Sequence, residues 1–171
     1  MNKNILVAYA SKHGATKEIA EKIGEVLLQS GKQVDVLPVG AVKNLTSYQA
    51  VILGSAIYIG KWPKEAVRFL RANEKSLAER LVWLFSSGPT GMGDPLELVE
   101  GQRFPAPLLG IINRIHPRDI VVFHGFNNPA KLNIVEKWAL RSIAKKPLGD
   151  FRDWNAIAKW ASGMAFAMKE E

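Results

Sequence analysis

Ser11-Lys12-His13-Gly14-Ala15-Thr16 stands between an apolar run and the first residues of a helical pattern. Two hydroxyls, a glycine and a row of backbone N–H groups at a helix mouth suit a phosphate monoester. The first turn of a helix has unsatisfied N–H donors and the positive end of its dipole, and glycine lets the backbone approach or take positive φ. Lys12 and His13 would line such a loop. Alone, the pattern also fits an ordinary Ser/Thr helix cap. Two further loops change the balance. Gly54-Ser55-Ala56-Ile57-Tyr58-Ile59-Gly60-Lys61-Trp62 follows an apolar run and is expected to bring Tyr58 and Trp62 to the same edge. Ser86-Ser87-Gly88-Pro89-Thr90-Gly91 follows another, with more hydroxyls and glycines. A phosphate cradle beside two loops able to sandwich a flat ring suggests flavin mononucleotide (FMN).

The elements that must position these loops can be read from hydropathy. Asn4–Tyr9 and Ala50–Gly54 are apolar without alternation, as are Leu81–Ser87 and Ile120–Gly125, the pattern of strands buried on both faces. Gln33–Val39 alternates, so it belongs nearer an edge. Ile19, Ile23, Val26 and Leu27 share one helical face, and Gly31 sits where a helix-terminating glycine belongs. Pro63 opens a second helical pattern carrying Ala66, Phe69 and Leu70. A looser stretch follows residue 88, and two helical patterns, Ala130–Lys146 and Asp153–Met168, close the chain. Five strands alternating with helices predict a single α/β domain over 1–171, a sandwich built on a mostly parallel sheet. Such sheets bind ligands at the carboxyl ends of their strands.

Several phosphate-binding alternatives are excluded. GxxxxGK[ST] and GxGxxG are both absent, which removes a P-loop hydrolase and a Rossmann dinucleotide site. The acidic cluster of a receiver domain is missing, because the corresponding strand ends read ASKHG and LGSAI. The chain has no cysteine, so thiolate ligands and disulfides are ruled out, and no metal site is expected.

The stretch VAYASKHGATKEIA resembles the phosphate loop of flavodoxin-like proteins, whose usual form is Thr/Ser-x-Thr-Gly-x-Thr, with His13 replacing the central hydroxyl residue. GSAIYIGKWPKEAVRFLR is similar to the ring-flanking loop and helix of one branch, the quinone-dependent protoporphyrinogen IX dehydrogenases, and NPAKLNIVEKWALRSIAKKPLGDFRDWNAIAKWA resembles that branch's basic segment before a final helix. The resemblance implies a flavodoxin-like three-layer sandwich with a five-stranded parallel sheet in the order 2-1-3-4-5. It implies that Ser11, Gly14, Ala15 and Thr16 bind phosphate with Lys12 and His13 beside them. Ser55, Ala56, Ile57, Tyr58, Ile59 and Gly60 would flank the ring on one side, and Ser87, Gly88, Pro89, Thr90 and Gly91 on the other. Acidic flavodoxins often stack an aromatic on each ring face; the third loop here has none, leaving a face open or covered only by Met92. An open face admits a second planar molecule. The expected partners are therefore a quinone or porphyrinogen, with a protein redox partner or a non-enzymatic phosphate-binding role as alternatives. No side chain can be assigned as general acid or base; His116 is expected in a loop and His124 packed at a strand end.

The chain has 171 residues, with 23 Lys and Arg against 16 Asp and Glu, a net charge of +7. Such an excess attracts anionic surfaces, although no nucleic-acid signature accompanies it and nucleic acid is not expected. Neither a cleaved leader nor a membrane span is expected, which makes the cytoplasm the expected compartment. Two amphipathic stretches, Pro105–Arg118 and Lys131–Lys146, are expected either to cover the core or to rest peripherally on the inner face of the cell membrane.

Overall fold

Alternation along the central strands divides the interior into two cores, one on each face of a sheet. Leu6, Ala8, Val51, Leu53, Val82 and Leu84 point to one side, and Ile5, Val7, Ala50, Ile52, Trp83 and Phe85 to the other. The structure, a computed structural model, describes residues 4–143 and 145–169. Its main sheet has five parallel strands in the order β2-β1-β3-β4-β5: β1 (Asn4–Ala10), β2 (Val34–Pro38), β3 (Tyr48–Ala56), β4 (Leu81–Ser87) and β5 (Asp119–Phe123). This is the flavodoxin-like three-layer sandwich. The alternating strand β2 lies at an edge, as its half-polar pattern requires.

Helix α1 (Ala15–Gln29) and helix α7 (Trp154–Ala167) cover one face through Ile19, Ile23, Leu27, Ile157, Ala161 and Met164. Gly31, at φ +80, ends α1 as expected. Helices α2 (Lys64–Ala72), α3 (Glu74–Ala78) and α5 (Leu109–Ile115) cover the other face, and a short α4 (Pro95–Leu98) follows the third loop. The single helix expected after Pro63 is broken at Asn73, whose side-chain amide donates to the Phe69 carbonyl and so competes with the helical ladder. Of the two amphipathic stretches, 105–118 covers the core, burying Leu108, Ile111, Ile112 and Ile115. The other does not. Ile134, Val135, Trp138 and Ile143 are 85, 72, 59 and 69 % exposed. In place of one long helix, this stretch forms α6 (Ile134–Trp138), continued by a wider π-type turn, Ala139–Ile143. A two-stranded ribbon, β6 (Phe126–Asn127) with β7 (Gly149–Asp150), anchors both ends of this arm, residues 128–148.

At Gly54 the packing admits no side chain. A Cβ there would fall 1.9 Å from the ring of its register neighbour Phe85, which is itself locked against Phe123 and Trp160.

Candidate functional site

The carboxyl ends of β1, β3 and β4 are stitched together by backbone and hydroxyl contacts. Thr16 Oγ1 and Ser87 Oγ share a hydrogen bond of 2.8 Å beneath the surface, joining the first loop to the third. Ile57 N donates to Ser87 O at 2.8 Å, joining the second loop to the third. Gly88 approaches so closely that a Cβ would lie 2.8 Å from Ile57 O, and Gly125 abuts Gly88 in turn. Glycine is required at both places because backbone meets backbone. Thr90 Oγ1 accepts from Asn127 Nδ2 at 2.9 Å, and Gly91 lies against Pro147, which ties the third loop to the arm.

The first loop turns sharply into α1. Ser11 Oγ accepts from Gly14 N at 3.0 Å, and Gly14 takes φ +92 as the residue preceding the helix. No side chain caps α1, so the N–H groups of Ala15, Thr16 and Lys17 begin the helix without a side-chain acceptor. That disfavours the ordinary-cap reading of Ser11 and Thr16: one hydroxyl braces the loop and the other its floor.

Cations surround the loop mouth. Lys131 Nζ, from the arm, donates to His13 O at 3.1 Å and would lie 3.1 Å from a Cβ on Gly14. Lys12 is ion-paired with Glu136, whose carboxylate also lies 3.4 Å from His13 Nε2. Asn133 and Glu136 form a capping box at the start of α6, which fixes that carboxylate. The Lys12 ammonium and the Asn133 N–H hold the Glu136 carboxyl down at about 2. Tyr58 leans towards the same cluster; burial pushes its hydroxyl up, and the backbone and charge of Lys12 oppose that shift.

Arg152 secures the loop from behind. Its guanidinium is buried between the rings of Phe126 and Trp154, 5.0 and 4.6 Å from their centroids. It donates to Ala15 O at 3.3 Å and to both oxygens of Asp150, at 2.9 and 2.8 Å, and it pairs with Glu18. Desolvation works against its charge, but Asp150 and Glu18 outweigh it and the guanidinium stays protonated.

Ser55 and Ala56 are the last two residues of β3 and are buried, with Ser55 Oγ donating to the Ala56 carbonyl. Trp62 is not at the sheet edge beside Tyr58 as expected: it is buried in the core, and its Nε1–H donates to Ser86 Oγ at 3.0 Å. Ile59 and Gly60 form the apex of a tight turn closed by two hydrogen bonds between Tyr58 and Lys61. Their positive φ values, 50 and 68, are those of a hairpin turn. Ile59 and Met92 are almost fully exposed. His116 ends α5 in a left-handed conformation, while His124 Nε2 is buried without a hydrogen-bond partner.

Lys131, Glu136 and Arg152 were not among the expected site residues. They come from more than 110 residues further along the chain, and an isolated Lys, Glu or Arg carries no spacing signal. Only Asn133 followed by Glu136, a capping-box pair ahead of an apolar stretch, marked the start of α6 in the sequence.

A 2-1-3-4-5 parallel sheet whose first crossover begins at an uncapped helix ringed by cations defines an α/β protein of the doubly wound class, with its candidate ligand site at the strand tips. The profile of the flavodoxin domain family matches residues 6–153, and the chain belongs to that family. Solved structures with the same fold include a flavodoxin from the domain Archaea (15% identity, TM-score 0.64, covering 97% of this chain and 99% of the other). Flavodoxin 2 of Bacillus cereus superposes with TM-score 0.60 at 22% identity over 97% and 99% of the two chains. The rubredoxin oxygen:oxidoreductase of Desulfovibrio gigas matches over 98% of this chain and 36% of its own, at 14% identity and TM-score 0.65. No curated protein matches the sequence.

Proposed function

We propose that the chain is an FMN-binding oxidoreductase that passes reducing equivalents to or from a quinone, in the manner of the protoporphyrinogen IX dehydrogenase branch it resembles. The observation that carries the FMN assignment is the uncapped start of α1 behind Gly14, with Lys12, His13 and Lys131 at its mouth. Its free N–H donors and positive dipole end fit a phosphate dianion. Ser11 sets the loop, and Ala15, Thr16 and Lys17 present donors. Lys131 supplies the charge that the family's loop pattern does not specify. Residues Ile57–Gly60 and Gly88–Gly91 would flank the ring. Bound there, the isoalloxazine supplies hydride- and electron-transfer chemistry.

The quinone assignment rests on the third loop. Pro89 and Thr90 are buried and Met92 is exposed, and the loop has no aromatic to stack on the ring, which leaves room for a second flat molecule. The arm favours a membrane-borne acceptor. Ile134, Val135, Trp138 and Ile143 are exposed beside Lys131, Lys137, Arg141, Lys145 and Lys146, the composition of a segment that lies in a lipid headgroup region. No helix among the described residues is long and apolar enough to cross a membrane.

The test is a visible spectrum of the purified protein, then anaerobic titration with quinones. A yellow protein whose flavin, once photoreduced under anaerobic conditions, is reoxidised stoichiometrically by menaquinone or ubiquinone analogues supports the reading. A colourless protein that takes up no FMN overturns it, and a yellow one inert to quinones but active with a carrier protein replaces the quinone with a protein acceptor. Co-sedimentation with phosphatidylglycerol vesicles that persists in high salt is expected; loss to background removes the membrane contact.

A further inference from the structure

The strongest feature left unused is on α2. Lys64, Arg68 and Arg71 fall at i, i+4 and i+7, so they line one exposed helix face, and Lys61 extends the row by three residues towards the loop tip. Like charges at this spacing repel, so apart from the favourable place of Arg71 in the last turn, helix stability does not account for the row. Glu65 is the only acid in Lys64–Ala72, and among the described residues no carboxylate lies within 4 Å of any of the four cations. Some exposed cations elsewhere are paired, as in Lys17–Glu21, Lys22–Glu25 and Arg114–Glu74, and others, such as Lys43 and Lys159, are not paired among the described residues. What sets the α2 row apart is its alignment along one helix face beside an apolar trough.

A shallow trough floored by Trp62, Val67 and Ala72 runs between Lys64, Arg68 and Arg71. The row ends at the Tyr58–Lys61 turn, whose apex Ile59 is 92 % exposed. An apolar centre rimmed by unpaired cations is the pattern of a protein docking surface. We infer that Lys61, Lys64, Arg68 and Arg71, with Ile59 at one end, form the docking face for a protein partner presenting an acidic surface.

Two other anionic occupants fit less well. A bilayer requires several apolar side chains that protrude from the basic face; here Ile59 alone protrudes while the apolar residues of α2 lie in the trough, whereas the arm exposes Ile134, Val135, Trp138 and Ile143. Single-stranded nucleic acid requires exposed aromatics for stacking; the only aromatic lining the trough, Trp62, is buried with its N–H committed to Ser86. Because the row begins beside the ring loop, a partner bound there would sit next to the redox centre. That last step alone rests on the FMN reading.

The test compares two full-length triple variants that lower the net charge equally. One is Lys64→Glu/Arg68→Glu/Arg71→Glu. The other is Lys43→Glu/Lys159→Glu/Lys169→Glu, drawn from exposed cations elsewhere. Binding to poly-L-glutamate, to phosphatidylglycerol vesicles and to oligo-dT is titrated at physiological salt, with and without added FMN. The α2 triple is expected to lose more than tenfold in poly-L-glutamate affinity, the control triple less than threefold, and vesicle binding is expected to be the same in both. Equal losses in the two triples would reduce the row to bulk charge and overturn the proposal. So would vesicle or oligo-dT binding that collapses in the α2 triple alone. Thermal melts check folding, and a Lys64→Gln/Arg68→Gln/Arg71→Gln variant repeats the comparison without introducing acids. The polyanion measurement does not require flavin, so failure of FMN uptake would leave its outcome unaffected.

Discussion

Glu136 is a carboxylate set where a phosphate would make the same contacts, since Lys12 and His13 both face it. On the FMN reading it is therefore a stand-in anion and a competitor. Glu136→Gln is expected to tighten FMN binding several-fold by releasing both groups, a change read by fluorescence quenching during flavin titration; weaker binding would mean that the capping box, and not the charge, is what matters there. Its titration is also predictable. A carboxyl held at about 2 in the fold, against an ordinary 4.5, keeps its ion pair fully above the ordinary value and loses it as pH falls from there through about 2. A carbon-13 NMR titration should therefore show Glu136 still ionised at pH 4, with the arm's resonances shifting only below that. Arg152 acts differently, since its flat fork is sandwiched between rings and satisfies three partners. Lysine keeps the charge but cannot reproduce the fork. Arg152→Lys should cost roughly 1–2 kcal/mol, given that Glu18 and Asp150 are partly solvated, and should loosen the first turn of α1. A thermal melt measures the first effect and amide exchange at Thr16 the second. An unchanged melt would reduce Arg152 to a surface charge.

At the scale of elements, the strands constrain one another more tightly than the helices do. Phe85 fills the space that a side chain on Gly54 would occupy, and its neighbours Phe123 and Trp160 leave the ring nowhere to move. Gly54→Ala should therefore destabilise the protein by about 1–3 kcal/mol, measured by urea denaturation, as overpacking in a filled core does. A neutral result would show that the β3–β4 contact is looser than it looks. The same contrast explains what could be read from the sequence. Strands β1, β3 and β4 announce themselves as unbroken apolar runs and the edge strand β2 as an alternating one, so the sheet was legible. Strand β5 has the same unbroken apolar run yet lies at the other edge with its first three residues half-buried, and the strand order came from the family resemblance, not from hydropathy. The candidate phosphate loop stands out in the sequence because its donors are contiguous in the chain. The arm was not. Its apolar residues repeat as though they faced a core, yet Ile134, Val135 and Trp138 face outward, and periodicity alone cannot tell which side of a helix meets protein. Trp62 misled for a related reason: a tryptophan beside a ring-binding loop looks like a stacking residue until the core that its indole fills is seen. Lys131 and Arg152 reach the loop only through tertiary packing, which no local pattern encodes.

For the whole molecule, the distribution of charge bears on the reaction. The excess of +7 is not spread evenly. Lys12, Lys131 and the arm's other cations, with Lys61 and Lys64 where the α2 row begins, lie towards the end of the sheet that holds the candidate site. A reduced flavin tends towards an anion, so a positive surround favours the reduced form and raises the potential. One unit charge about 10 Å from the ring contributes about 1.7 kcal/mol at an effective dielectric of about 20, before screening. For a one-electron step about 59 mV corresponds to tenfold in equilibrium, so several partly screened charges can move the potential by tens of millivolts. Screening supplies the test, because the Debye length falls from about 30 Å at 0.01 M salt to about 3 Å at 1 M. Across that range the midpoint of the FMN-loaded protein, followed by spectroelectrochemistry, should become more negative by tens of millivolts. The α2 triple variant should start lower and move less. A midpoint that rises with salt, or that already matches those of acidic low-potential flavodoxins, would mean that the basic surface serves docking alone and leaves the flavin's potential to its immediate contacts.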